Sequence, residues 1–234
     1  MTTVFGIKHP KVEATVLIAD RQVTSLNPQT GIPNGKFLGR KLWVSDDKNY
    51  CFGHSGVMDE KTGEFVQELS SGKFNVERIV KKGYFNELRK LNIKRMGTKL
   101  PDLQKLSSII LATRFNNTPK LYTCFPLGRV EKRVWTCVGS GSGDKKVSEY
   151  IQALQVYSEA KDYLGDSSNP ETEDLIRVGL EAVRRSQSQD LYSHGLDMMV
   201  CTPDEIRDHY KDLGDNFGKT LRNIQRQYKS HKTK

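Results

Sequence analysis

Val16-Leu17-Ile18-Ala19 is an almost unbroken apolar run inside the segment Val12 to Arg21. A strand without polar alternation is covered on both faces. Whatever sheet contains this run must therefore be sandwiched between further layers. Upstream, Thr3 to Lys8 is a short β-rich run. His9-Pro10-Lys11 then turns the chain, because proline cannot continue a central strand. The two runs read as a hairpin that plants Thr2 at a sheet edge, with Asp20 closing the apolar run where a charge can face a cleft.

The remaining elements come in blocks. Residues 24–39 are rich in Asn, Pro and Gly and read as loop. Lys41 to Val44 and Asn49 to His54 form a second hairpin signal, turning at Asp46-Asp47-Lys48. Apolar residues at 57, 58, 65, 66 and 69 fit one helix face. A second helix is predicted from Asn75, a plausible N-cap, to about Arg95, from apolar spacings of three and four. Three strand signals follow: Ser107 to Phe115, Lys120 to Phe125 and Arg129 to Val138. Glycine-rich Gly139–Gly143 opens a helix predicted from about Asp144 to Leu164, and Pro170 opens another to about Ser186. Gly195 to Cys201 is a last strand, and Pro203 begins a C-terminal helical region. Strands, a helix pair, strands, a helix pair and a final strand indicate α+β rather than alternating βαβ. The expected architecture is two sheets covered by helices on both outer faces. It forms one domain over residues 1–234, with a basic helical extension from about residue 203.

With 234 residues the chain is long enough for a sizeable core. Cys51, Cys124, Cys137 and Cys201 are scattered without CxxC or Cys/His ligand spacing, so they read as reduced buried thiols. No apolar stretch approaches the roughly 18 residues of a membrane span, and no signal-peptide pattern opens the chain. The chain reads as soluble and cytoplasmic. The net charge of +9 is uneven: Lys73 to Lys99 holds nine Lys/Arg against Glu77 and Glu87, and the tail after Asp215 carries only cations. Such runs are usually solvated helix faces. No nucleic-acid module motif accompanies them, which argues against nucleic-acid binding.

Three stretches carry chemistry. Met1-Thr2 is an end that methionine aminopeptidase trims, which would leave a threonine bearing both a hydroxyl and a free α-amine. An N-terminal Thr activated by its own amine is a recognised nucleophile, and an unperturbed α-amine titrates at about 7.7–8.0, near working pH. Gly139-Ser140-Gly141-Ser142-Gly143 links a strand to a helix, as an anion-binding loop does. It lacks the Walker spacing, because Asp144 follows Gly143, and no βαβ unit surrounds it. Asp190-Leu191-Tyr192-Ser193-His194-Gly195 joins a helix to the last strand. His194 has no Gly-x-Ser-x-Gly elbow to serve, which argues against a serine triad.

Taken in order, Thr2-Thr3-Val4, Ala19-Asp20-Arg21, Gly39-Arg40-Lys41-Leu42-Trp43, Ser55-Gly56, Gly139-Ser140-Gly141-Ser142 and Asp190…Ser193-His194-Gly195 resemble the catalytic β-type subunits of the proteasome. These are N-terminal nucleophile hydrolases, and the resemblance spans about residues 2–201. It implies a four-layer αββα sandwich and a threonine endopeptidase working through an acyl-enzyme. In that reading Thr2 is the nucleophile and Lys41 lies beside it. Asp20 holds Lys41 charged, and the Gly56 N–H serves the oxyanion. Ser140, Asp190 and Ser193 surround the Thr2 amine. Val23, His54 and Met58 fall where the family lines its substrate pocket. His54-Ser55 replaces a smaller approach to the oxyanion glycine, and His194 stands where a small residue is expected. The resemblance implies no cofactor and no metal. It implies a peptide or unfolded-protein substrate and a homo-oligomeric ring, with a second ring type or an unfoldase as further partners. Competing readings are a peptide ligase of the same superfamily and a non-catalytic assembly subunit. Retention of Thr2, Asp20 and Lys41 argues against the latter.

Overall fold

The computed structural model describes residues 3–26, 33–96, 106–139, 142–157, 170–187 and 196–209. The chain opens with β1 (Thr3–Lys8), β2 (Thr15–Asp20), β3 (Gln22–Leu26), β4 (Pro33–Leu38), β5 (Leu42–Val44) and β6 (Tyr50–Ser55). Helices α1 (Glu60–Ser70), α2 (Val76–Lys82) and α3 (Asn86–Met96) follow. Next come β7 (Ser108–Thr113), β8 (Lys120–Cys124), β9 (Val130–Arg133) and β10 (Trp135–Gly139). The described chain closes with α4 (Ser142–Tyr157), α5 (Thr172–Gln187), β11 (Leu196–Cys201) and β12 (Ile206–Asp208).

The strands form two antiparallel five-stranded sheets, ordered β10-β1-β2-β11-β12 and β5-β6-β7-β8-β9, and a separate β3-β4 ribbon. The apolar run in β2 is explained by its alternation. Val16 and Ile18 enter a core shared with Val147, Ile151, Leu175, Ile176 and Val183 of α4 and α5. Leu17 and Ala19 point the other way, into a core between the sheets with Leu42, Cys51, Ile110, Leu121 and Met199. The sheets approach closely there: a Cβ on Gly53 would lie 2.4 Å from Val4 Cγ1. A third core packs Phe52, Ile109 and Leu111 of the second sheet against Phe65, Leu69, Ile79, Phe85 and Leu88. At about 25 cal/mol per Å² of apolar surface, these three cores supply the main driving force for folding.

The expected four-layer αββα sandwich is corrected by this arrangement. The described residues form a mixed α/β fold of two antiparallel five-stranded sheets with a ribbon and five helices, only loosely compatible with four regular layers. One cause is local. The helix expected from Asn75 to about Arg95 is two short helices, because Gly83 takes a left-handed conformation (φ 68°) and ends α2. The other departures are of the same kind. Residues 24–39, expected as loop, include most of the β3-β4 ribbon, and the strand expected from Arg129 to Val138 is split between both sheets. After Pro203 the described chain forms β12 rather than helix, and α4 opens at Ser142, two residues earlier than expected. Asn75 does cap α2, its side chain accepting the Arg78 N–H. In the basic stretch, exposed Lys73, between α1 and α2, pairs with Glu68, and exposed Lys81 pairs with Glu77 one turn away on α2. Among the described residues no helix is long and apolar enough to cross a membrane.

Candidate functional site

The antiparallel order of the first sheet collects distant parts of the sequence at one end. There β1 begins, β2 ends, β10 ends and β11 begins, with Thr3 opposite Gly139 and Asp20 opposite Leu196. Lys41 reaches the same place from the lead-in to β5. Its Nζ lies 2.8 Å from Asp20 Oδ2, and the other oxygen, Oδ1, accepts the Thr3 N–H at 2.6 Å. Both side chains are almost wholly buried, at 5% and 2% exposure. Removing two such charges from water costs several kcal/mol per ion, and only close geometry with further hydrogen bonds offsets it. Here each Asp20 oxygen has its own donor. The lysine Nζ is thereby fixed in direction. At the same end Ser186, near the C-terminus of α5, sets its Oγ 3.1 Å from Thr3 Oγ1 and ties that helix to the start of β1.

The backbone of Lys41 is gripped from both sheets. Its carbonyl accepts the His54 N–H at 3.1 Å from β6. Its N–H, at 3.4 Å, and that of Leu42, at 3.1 Å, are directed at Asp197 Oδ2 from β11. Asp197 is fully buried, and burial pushes its carboxyl up to about 6 against the lowering effect of these amides and of Arg40. Sequence reasoning missed this residue. The available signal was a lone carboxylate inside the apolar strand Leu196–Cys201.

The segment after β6 is locked by a second network. His54 is buried, with Nε2 3.0 Å from Ser107 Oγ, and burial followed by the Arg95 charge presses its pKa down to about 3. The ring is therefore neutral at ordinary pH. Arg95 also donates to Ser107 Oγ at 2.7 Å, to Asp59 Oδ1 at 2.5 Å and to the Val57 carbonyl at 3.3 Å. Asp59 in turn caps α1 through the Thr62 N–H. Partial burial pushes Asp59 up, but hydrogen bonds from Arg95 and Thr62 outweigh it and hold the carboxyl at about 2. Between these anchors Gly56 has φ 129°, and a Cβ there would lie 2.8 Å from the Leu106 carbonyl oxygen. Only glycine fits that backbone.

Of the residues expected in the site, the structure joins Asp20 and Lys41 directly. Gly56 lies two residues beyond His54, whose amide binds Lys41. His54 is engaged with Ser107, Met58 is exposed, and Val23 lies in β3 opposite Phe37. Thr2, Ser140, Asp190 and Ser193 lie outside the described residues, as does His194. Covalent connectivity alone makes Thr2 the neighbour of Thr3, and Ser140 the neighbour of Gly139. Among the described residues no group of three or more His, Cys, Asp or Glu gathers as a metal site. Chemically, the arrangement offers a buried, oriented ammonium that stabilises negative charge developing beside it. No protein-family model matches this sequence, and no curated protein matches it.

Proposed function

We propose that this chain is a threonine-type N-terminal nucleophile peptidase, similar to the catalytic β-type subunits of the proteasome. The observation that carries the reading is the buried Lys41–Asp20 pair, bonded through Asp20 to the amide of Thr3, the residue that follows Thr2. A charge pair costly to bury, tied to the amide of the residue that follows Thr2, suits activation of the Thr2 hydroxyl.

In this mechanism removal of Met1 frees the Thr2 amine. Thr2 Oγ attacks the scissile carbonyl carbon while its proton passes, through a water, to the α-amine. The Lys41 ammonium lowers the proton affinity of Oγ and stabilises the charge that develops. The Gly56 N–H receives the oxyanion. Collapse of the tetrahedral intermediate breaks the C–N bond, and the leaving amine takes the proton from the Thr2 ammonium. This leaves an ester on Oγ. Water, deprotonated by the same amine, then releases the acid and restores Thr2. Asp20 keeps Lys41 charged and aimed throughout. The substrate class is peptide, and self-association into a ring would restrict access to unfolded segments.

Intact-mass measurement before and after incubation with a peptide epoxyketone tests this. The reagent forms a ring with both the hydroxyl and the amine of an N-terminal Thr. The expected result is a chain beginning at Thr2 that takes a single adduct on Thr2, and no adduct in Lys41→Ala. A chain that retains Met1 and takes no adduct overturns the reading.

A further inference from the structure

We infer that Asp197 is a positioning residue for Lys41: its carboxylate clamps the backbone of the β5 lead-in so that the ammonium meets Asp20, and the clamp loosens when Asp197 is protonated. The inference rests on the peptidase reading for its catalytic consequence and on geometry for the clamp itself. Lys41 precedes β5, so the β5–β6 ladder alone does not fix its amide. That amide and the next converge on one oxygen, Asp197 Oδ2. Asp197 Oδ1 has no hydrogen-bond partner although it is buried. A carboxylate so placed is expensive for the fold, because an unmatched buried oxygen keeps its desolvation cost. What it provides is charge-assisted acceptance of two amides, roughly twice the strength of neutral bonds.

The surroundings bear on its titration. Arg40, immediately before Lys41, lowers the proton affinity of Asp197, and Asp208 of β12 raises it. The Cys51 thiol of β6 also faces it, and burial holds that thiol well above its ordinary range, so it stays neutral. Arg40 is itself tied down, its Nη2 paired with Asp208 and its Nε donating to the Leu42 carbonyl at 2.5 Å. Burial sets the Asp197 midpoint at about 6. Above it the carboxylate grips the lead-in. Below it the proton weakens Oδ2 as an acceptor, and Lys41 gains freedom relative to Asp20.

Two readouts test the inference, and only the second depends on the peptidase reading. In the first, ¹⁵N spectra of the full chain follow the Lys41 and Leu42 amides from pH 8 to pH 4.5. Both are expected to titrate together near pH 6 in the wild type and to lose that step in Asp197→Asn. Amides that do not titrate, or that titrate alike in the variant, overturn the clamp, and the wild-type curve alone decides this should the variant not fold. In the second, the rate of epoxyketone labelling at Thr2 is measured over the same range. The wild type should label roughly five- to tenfold faster than the variant at pH 8, and the ratio should approach one below the midpoint. Titration of the Thr2 amine is common to both proteins and leaves that ratio untouched. A ratio that does not change with pH in a folded variant overturns the positioning role. No labelling of the wild type at any pH overturns the peptidase reading instead, and the amide titration still decides the clamp.

Discussion

Two buried carboxylates on neighbouring strands hold the two ends of Lys41, and they do so by different physics. Asp20 on β2 meets the ammonium of the side chain and one amide, so each oxygen has a donor. Asp197 on β11 meets two amides of the backbone with one oxygen and nothing with the other. A full positive charge compensates burial; two peptide dipoles compensate it only in part. Hence burial raises the Asp197 midpoint to about 6, on the strand that also carries Met199 and Cys201. The two sites are equally buried and differ in the kind of donor each carboxylate meets.

The largest effect should come from removing that partner. In Lys41→Met, the buried Asp20 carboxylate loses the ammonium that faces its Oδ2, and stability in denaturant titration should fall by about 3–5 kcal/mol. Adding Asp20→Asn should restore most of the loss without restoring labelling at Thr2. A single variant as stable as the wild type would mean that the pair is not sealed from water.

Removing Asp197 should cost less and should depend on pH. Its folded pKa lies above the unfolded value of 3.8, so its stabilising contribution is fully present below about 3.8 and lost as pH rises through about 6. The wild type should therefore gain on Asp197→Asn as pH falls from 7.5 to 4.5, by about 2 kcal/mol. His54 pulls the opposite way: its pKa is depressed to about 3, so stability is lost as pH falls below its unfolded value of 6.5. Because both proteins carry His54, the difference between their denaturation curves isolates Asp197. A difference that does not change with pH would contradict the assigned environment.

The smallest effect sharpens the contrast. Arg40→Gln removes a cation whose charge lowers the proton affinity of Asp197, so the amide midpoint should rise, by less than about one pH unit given the partly exposed guanidinium. A downward shift would show that Arg40 does not face the carboxylate.

Much of the local structure was legible because it follows from short-range patterns. The β1 run, the β8 run and the capped start of α2 all stand where periodicity and turn residues place them. What was not legible depends on tertiary choices. The β3-β4 ribbon is a two-stranded sheet of its own, and its Asn-, Pro- and Gly-rich sequence carries few of the β-branched and aromatic residues that mark a strand. Apolar spacing runs straight across Gly83, although Tyr84 is drawn into a bridge with Arg129 and the helix breaks. Only one residue, Val134, separates β9 from β10, and nothing local announces that the chain changes sheet there. In the site, Asp20 and Lys41 were visible through their flanking residues. Asp197 was not, since its meaning lies in amides 155 and 156 residues away.

The pairing of Thr3 with Gly139 also sets a clock on synthesis. The outer edge of β1 has no strand to receive until residue 139 has left the ribosome. At about 5–20 residues per second that is on the order of ten seconds after the first residues appear. During that interval β1 is held on one side only, by β2. Until β10 arrives, the amides and carbonyls of its other edge stay open to any strand that meets them.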